Sequence, residues 1–175
     1  QGPDTNGRLV FMPSTGVEGG CELPTAKCPC GKGWCARWYF NPNGHSPIFR
    51  FPDVKKLGPQ LATVSRLIKF NNDRELSDET GVKPFQKVAG QWYGTLSVQK
   101  TGQYTICTTS DDGSHCYVDG EHVVKNGGLH GRRKKCGKME LKRGDHQVMV
   151  TFFENHGAAN MVLDYSGPDT DYKPL

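Results

Sequence analysis

The stretch 104–120, YTICTTSDDGSHCYVDG, reads as strand, acidic turn, strand, and the rest of the chain is interpreted around it. Tyr104, Ile106 and Thr108 recur on one face of the first run. Cys116 and Val118 alternate with polar neighbours in the second, the period-two pattern of strands with one buried side. On this reading the two runs form a hairpin. Its tip, Ser110-Asp111-Asp112-Gly113-Ser114, sets two carboxylates side by side. Like charges so placed repel, and a hairpin turn does not need both. A hard cation with oxygen ligands removes the repulsion, which makes the tip a candidate half of a Ca²⁺ site. The alternative is an ordinary turn, in which Asp bonds its own backbone and Gly supplies positive φ.

Moving outward, 91–99 (QWYGTLSVQ) places Trp92, Gly94, Leu96 and Val98 on one face. The run 146–153 (HQVMVTFF) sets Val148, Val150 and Phe152 against Gln147 and Met149, and 160–165 (NMVLDY) closes the sheet. Shorter strands are expected at 121–124 and 138–141, with a glycine loop at 125–131 between them. Upstream, 36–40 (ARWYF) is an aromatic strand ended by Asn41-Pro42-Asn43-Gly44, and 48–51 is a second apolar pulse. The segment 60–70 (QLATVSRLIKF) fits a helical stripe through Leu61, Val64, Leu67 and Ile68 as well as it fits a strand. Residues 71–85 read as a long polar loop with a helical turn at LSDET. With 22 glycines and 11 prolines in 175 residues, short strands joined by turns are favoured over a helical bundle. The expected fold is all-β, an antiparallel sandwich or barrel.

Three parts are expected: an extended cysteine-containing arm (1–33), the β domain (34–168) and a polar tail (169–175). Gln1 reads as a mature or excised end. Cys21, Cys28, Cys30 and Cys35 crowd the arm region, which suggests disulfides and an oxidising compartment. A zinc knuckle using Cys28, Cys30 and Cys35 is the competing reading, although the paired C-x₂-C spacing is missing. An odd total of seven cysteines leaves at least one thiol free unless another chain pairs with it. Cys116 shares the inward face with Val118 and reads as a buried thiol. Cys107 points the other way, and Cys136, in the loop before the next strand, is its candidate disulfide partner. The net charge of +4 does not demand nucleic acid, and no apolar run reaches the ~18–20 residues that span a bilayer. No nucleophile elbow, HExxH helix or P-loop is present. Trp34, Trp38 and Trp92 read as core or sheet-edge packing.

Several motifs together resemble one family. They are Trp92-Tyr93-Gly94-Thr95-Leu96, Gly102-x-Tyr104-Thr105-Ile106, Ser110-Asp111-Asp112-Gly113-Ser114 and Tyr117-Val118-Asp119-Gly120. Gly137-x-Met139-x-Leu141-x-x-Gly144, Phe152-Phe153-Glu154-Asn155 with Gly157-Ala158-Ala159, and Trp38-Tyr39-Phe40 extend the match. The pattern resembles the protective-antigen-type (PA-fourteen) domain over about 34–168. The resemblance implies a sandwich of two antiparallel sheets in a secreted or cell-surface protein. In lectin-like members a cis-linked Asp pair chelates Ca²⁺, a second loop adds an amide side chain and carbonyls, and sugar hydroxyls complete the shell. By position the metal ligands are Asp111, Asp112, Asn155 and the backbone oxygens of Gly157 and Ala158. The sugar contacts are Asp111, Asp112, His156 and Asn160. His156 departs from the family's usual small residue, and Glu154 is read as a structural residue of the closing strand.

The expected function is therefore non-catalytic, Ca²⁺-dependent carbohydrate binding by a secreted or surface module, with a glycan as partner and neither nucleic acid nor membrane insertion expected. The alternative is a protein-interaction or assembly module without a sugar site, using the arm and the basic loop 130–138 (His130-Gly131-Arg132-Arg133-Lys134-Lys135 at its start).

Overall fold

The computed structural model describes residues 33–44 and 46–175. Its strands are β1 (Trp34–Phe40), β2 (Leu61–Ser65), β3 (Lys69–Phe70), β4 (Val88–Val98), β5 (Gly102–Asp111), β6 (Ser114–Val118), β7 (Glu121–Asn126), β8 (Arg133–Leu141), β9 (Gly144–Glu154) and β10 (Asn160–Ser166), with one helix, α1 (Asp73–Thr80). Among the described residues they form a six-stranded sheet, β2-β1-β4-β9-β6-β7, facing a four-stranded sheet, β3-β10-β5-β8. Every strand pairing is antiparallel. Composition and alternation left a sandwich or a barrel open; the sandwich, which the family resemblance implied, is what forms.

The organising stretch is not a hairpin. β5 pairs with β10 and β8, whereas β6 pairs with β9 and β7, so the acidic turn carries the chain from one sheet to the other. Period-two alternation is the same for two strands of one sheet and for two strands facing each other across a core. The inward faces of β5 (Tyr104, Ile106, Thr108) and β6 (Cys116, Val118) are all buried, and they meet from opposite layers.

Trp34, Trp38, Trp92, Tyr104, Phe85, Phe152 and Met161 fill the space between the layers. Trp38 and Trp92 meet edge to face with centroids 4.9 Å apart, the arrangement their ring quadrupoles favour. Each buried indole N–H needs an acceptor. Trp38 Nε1 donates to Thr63 Oγ1 (3.1 Å) and Trp92 Nε1 to Ser65 Oγ (3.2 Å). Both hydroxyls donate onward to Glu79 Oε1 of α1, at 2.5 and 2.8 Å. This relay docks the helix on β2. The ambiguous segment 60–70 thus resolves as two short strands, one in each sheet.

The expected loop 71–85 holds two turns of helix. Asn72 caps its start by accepting from Glu75 N, and Gly81 ends it in the left-handed conformation at φ +75°. The basic run also differs from expectation, since from Arg133 onward it is strand β8 rather than loop. β8 lies at the edge of its sheet with much of its length exposed, so it needs no apolar alternation and leaves none to read. Gly137 lets β8 close against β7, because a Cβ there would stand 2.0 Å from Val123 O.

Cys107 and Cys136 lie opposite each other in the β5–β8 register and are joined by a disulfide, while Cys116 is free and buried. Burial lifts the Cys116 thiol to about 12, so it stays protonated. Cys35 is disulfide-bonded, which removes it from any zinc-ligating thiolate set. Cys21, Cys28 and Cys30 lie outside the described residues. At the other end the chain folds back: Leu175 and Tyr165 exchange backbone hydrogen bonds, and Thr170 is buried. No helix among the described residues is long and apolar enough to cross a membrane.

Candidate metal and ligand site

A buried polar network fixes the tip between β5 and β6. Ser110 Oγ and Ser114 Oγ are 2.8 Å apart, Ser114 Oγ donates to Thr108 Oγ1 (2.9 Å), and Asn126 Nδ2 donates to Ser110 Oγ (3.1 Å). Arg133 extends the network by donating to Asn126 Oδ1 (2.8 Å) and Gly127 O (2.9 Å), which holds the loop 127–132 against the tip. Gly113 has no room for a side chain, since a Cβ would come within 2.4 Å of Phe153 Cε1. Its carbonyl accepts from Phe153 N at 2.9 Å.

The Asp111–Asp112 peptide is cis. Asp112 is 7% exposed and takes one backbone N–H on each carboxylate oxygen: His130 N on Oδ1 and Asn155 N on Oδ2, both at 3.0 Å. It therefore joins two loops from different parts of the chain. Its own N–H donates to Glu154 Oε2 at 3.1 Å. Asp111, Asp112 and Glu154 each offer an oxygen within 4.8 Å of the others, a group that can hold a metal ion. Burial first, then the charges of Asp112 and Asp111, push the Glu154 carboxyl up to about 9. The same two influences, burial and the Asp112 charge, raise Asp111 against the opposing pull of His130 and the Arg132 backbone N–H. Among the described residues none of the three is in an ion pair.

Two buried oxygens here lack a hydrogen-bond partner, Glu154 Oε1 and Asn160 Oδ1. Asn160 is 4% exposed and pairs in register with Asp111. Native folds rarely leave such atoms unsatisfied. A set made wholly of oxygens, with two of them idle, suits a hard cation.

The other expected residues fall as follows. Asn155 joins the cluster through its backbone N–H, while its Oδ1 accepts from Ile48 N at 2.9 Å. An amide oxygen has two lone pairs, so one remains for a cation. His156, Gly157 and Ala158 are exposed on the same loop. Two contributors escaped the sequence reading in different ways. Glu154 sat in a matched motif but was assigned to the strand alone. Asp73, the first residue of α1, accepts a hydrogen bond from Ala159 N and adds negative charge near Asp111 and Glu154. No local motif marks it. Trp34, Trp38 and Trp92 are all buried and far from any role as an exposed sugar platform. The basic run is partly consumed by structure: Arg133 holds the loop, and Lys134 bonds both oxygens of Asp164 at 3.0 Å.

The sequence profile of the family described as "PA14 domain" matches residues 32–175. Among solved structures, the chain is similar to a PA14 sugar-binding domain from an RTX adhesin, with 19% identity, a TM-score of 0.66, and 82% of this chain and 94% of that one covered. It is also similar to the epithelial adhesin 6 A domain of Candida glabrata in complex with Galb1-3GlcNAc (10% identity, TM-score 0.59, 82% of each chain). A β-glucosidase from Kluyveromyces marxianus contains a similar unit (16% identity, TM-score 0.56), with 80% of this chain covering 18% of the enzyme. No curated protein sequence matches the chain.

Proposed function

We propose, from the premise that this chain belongs to the PA14 domain family, that it is a non-catalytic module of a secreted or surface protein that binds carbohydrate through Ca²⁺. The observation that carries the reading is the cluster of Asp111, Asp112 and Glu154 beside the idle oxygens of Glu154 and Asn160. Asp111 and Asp112 supply charge, and Asn155 Oδ1 with the carbonyls of Gly157 and Ala158 supplies neutral oxygens from the facing loop. Ca²⁺ bound there would offer exchangeable positions to vicinal sugar hydroxyls. Asn160 and the exposed His156 border those positions, and Asp111 and Asp112 serve ion and sugar together. The similarity to a sugar-binding domain of an RTX adhesin and to a unit within a β-glucosidase supports a carbohydrate context.

A glycan array with Ca²⁺, repeated with chelator and with Asp111→Asn, tests this. The reading expects glycan signal that disappears in both controls. Signal indifferent to chelator and substitution, or a protein partner captured equally well under both, favours the interaction-module alternative.

A further inference from the structure

The β6–β7 hairpin carries a second set of metal-ligating side chains, and it shares no residue with the acidic cluster. β7 is the last strand of its sheet. Within the hairpin the register shifts: Cys116 pairs with Val124, but Tyr117 pairs with His122. Val123 is the extra residue of this bulge, and a bulge re-aims the side chains beside it. His115 and Tyr117 alternate with the buried Cys116 and Val118, so they point away from the core. The bulge brings His122 onto both of their rings.

His115 Nδ1 and His122 Nε2 stand 3.0 Å apart, with the ring planes at 72°. Both rings are held in place. His122 stacks on Tyr117 at 4.4 Å and 19°. His115 fills the space that Gly127 leaves, where a Cβ would come within 2.7 Å of its Nε2. The Val124 backbone hydrogen-bonds both rings. Burial lowers both histidines below 6.5, so each is neutral at neutral pH, the form that ligates metals. Two imidazole nitrogens, each about 2.0–2.1 Å from one ion, are about 2.9 Å apart at a right angle and about 3.3 Å apart at the tetrahedral angle. The separation of 3.0 Å lies between these limits.

We propose that His115 Nδ1 and His122 Nε2 form a two-imidazole site for a borderline divalent transition ion, Cu²⁺ or Zn²⁺. The proton between the facing nitrogens moves to the far nitrogen of its own ring. Both facing lone pairs are then free, with no net proton released. Among the described residues no carboxylate, thiol or third imidazole completes the pair, because the three-residue group there is the acidic cluster. Water fills the other positions, and without anionic oxygens the site rejects Ca²⁺. Lys125, opposite His115 in the register, opposes the ion's charge and limits its affinity.

The test is titration of the full chain with Cu²⁺, followed by electron paramagnetic resonance, and with Zn²⁺, followed by calorimetry. Both are run in excess Ca²⁺. His115→Gln and His122→Gln are titrated alongside, with His146→Gln and Asp111→Asn as controls. The wild type is expected to take one equivalent of Cu²⁺ coupled to two imidazole nitrogens, and to bind Cu²⁺ more tightly than Zn²⁺. Each variant of the pair is expected to weaken both ions more than about tenfold, having lost one of two protein ligands. The controls keep the wild-type curves. A wild-type Cu²⁺ spectrum without two-nitrogen coupling overturns the site whatever the variants do. An unchanged Zn²⁺ isotherm in either variant of the pair overturns it too, as does an equal loss in His146→Gln or Asp111→Asn.

Discussion

Asp111 and Asp112 are neighbours in sequence with different physical roles. Asp112 is buried and accepts two backbone N–H groups, so its carboxylate supports the fold with or without an ion. Replacing it with Ala strands both donors and is expected to cost about 2–4 kcal/mol of unfolding free energy in chelator. Asp111 is less buried, and its charge is opposed by Asp112. Asp111→Asn is expected to lie within about 0.5 kcal/mol of wild type under the same conditions. Denaturant titration in chelator checks both, and equal losses would contradict the division of roles. The acidic pair itself was legible in the sequence because two adjacent Asp residues at a turn are costly without a reason. Glu154 was not legible as a partner. Its importance comes from burial beneath the pair, which depends on where β9 ends relative to the tip.

At the scale of elements, strand existence could be read wherever one face is apolar, as in β4, β5, β6 and β9. Strand partnership could not, because the same alternation serves a hairpin and a crossing between sheets. β8 escaped because an exposed edge strand tolerates lysines on both sides. The β6–β7 hairpin carries a further consequence. His115 Nδ1 and His122 Nε2 are 3.0 Å apart, and His122 stacks on Tyr117 with centroids 4.4 Å apart. Burial lowers both histidines from 6.5, aided at His115 by the charge of His122 and at His122 by that of Lys125. Below about 6.5 the unfolded chain therefore binds protons that the fold resists. Stability contributed by the pair is present above that pH and lost as pH falls through the lowered values. His146 acts in the opposite sense: burial lowers it, but bonds to Lys142 O and Asp119 win and raise it, so its contribution fades as pH rises. Melting temperatures from pH 8 to 5 should fall less in His122→Gln than in wild type, and identical slopes would contradict the assignment.

For the whole molecule, two sheets packed over three tryptophans bring together pieces far apart in sequence: the tip between β5 and β6, the end of β9, the start of β10 and the first residue of α1. The sandwich was legible from composition, alternation and motif, since each reports burial on one face. The full donor set was not, because it depends on how loop ends meet once the layers pack. The central claim is that this meeting point holds Ca²⁺. Glu154 keeps its proton up to about 9 without an ion, and its stabilising contribution, complete below its unfolded value of 4.5, is lost as pH rises from there through the raised value of about 9. Cation uptake below that point displaces the proton, so affinity should rise with pH. Calorimetric titration with Ca²⁺ at pH 6 and pH 8, on wild type and Asp111→Asn, is the most direct test. The account predicts a single saturable site with Kd of about 10⁻⁴–10⁻³ M, tighter at the higher pH and absent from the variant. No saturable heat in wild type, or the same binding in Asp111→Asn, would contradict it.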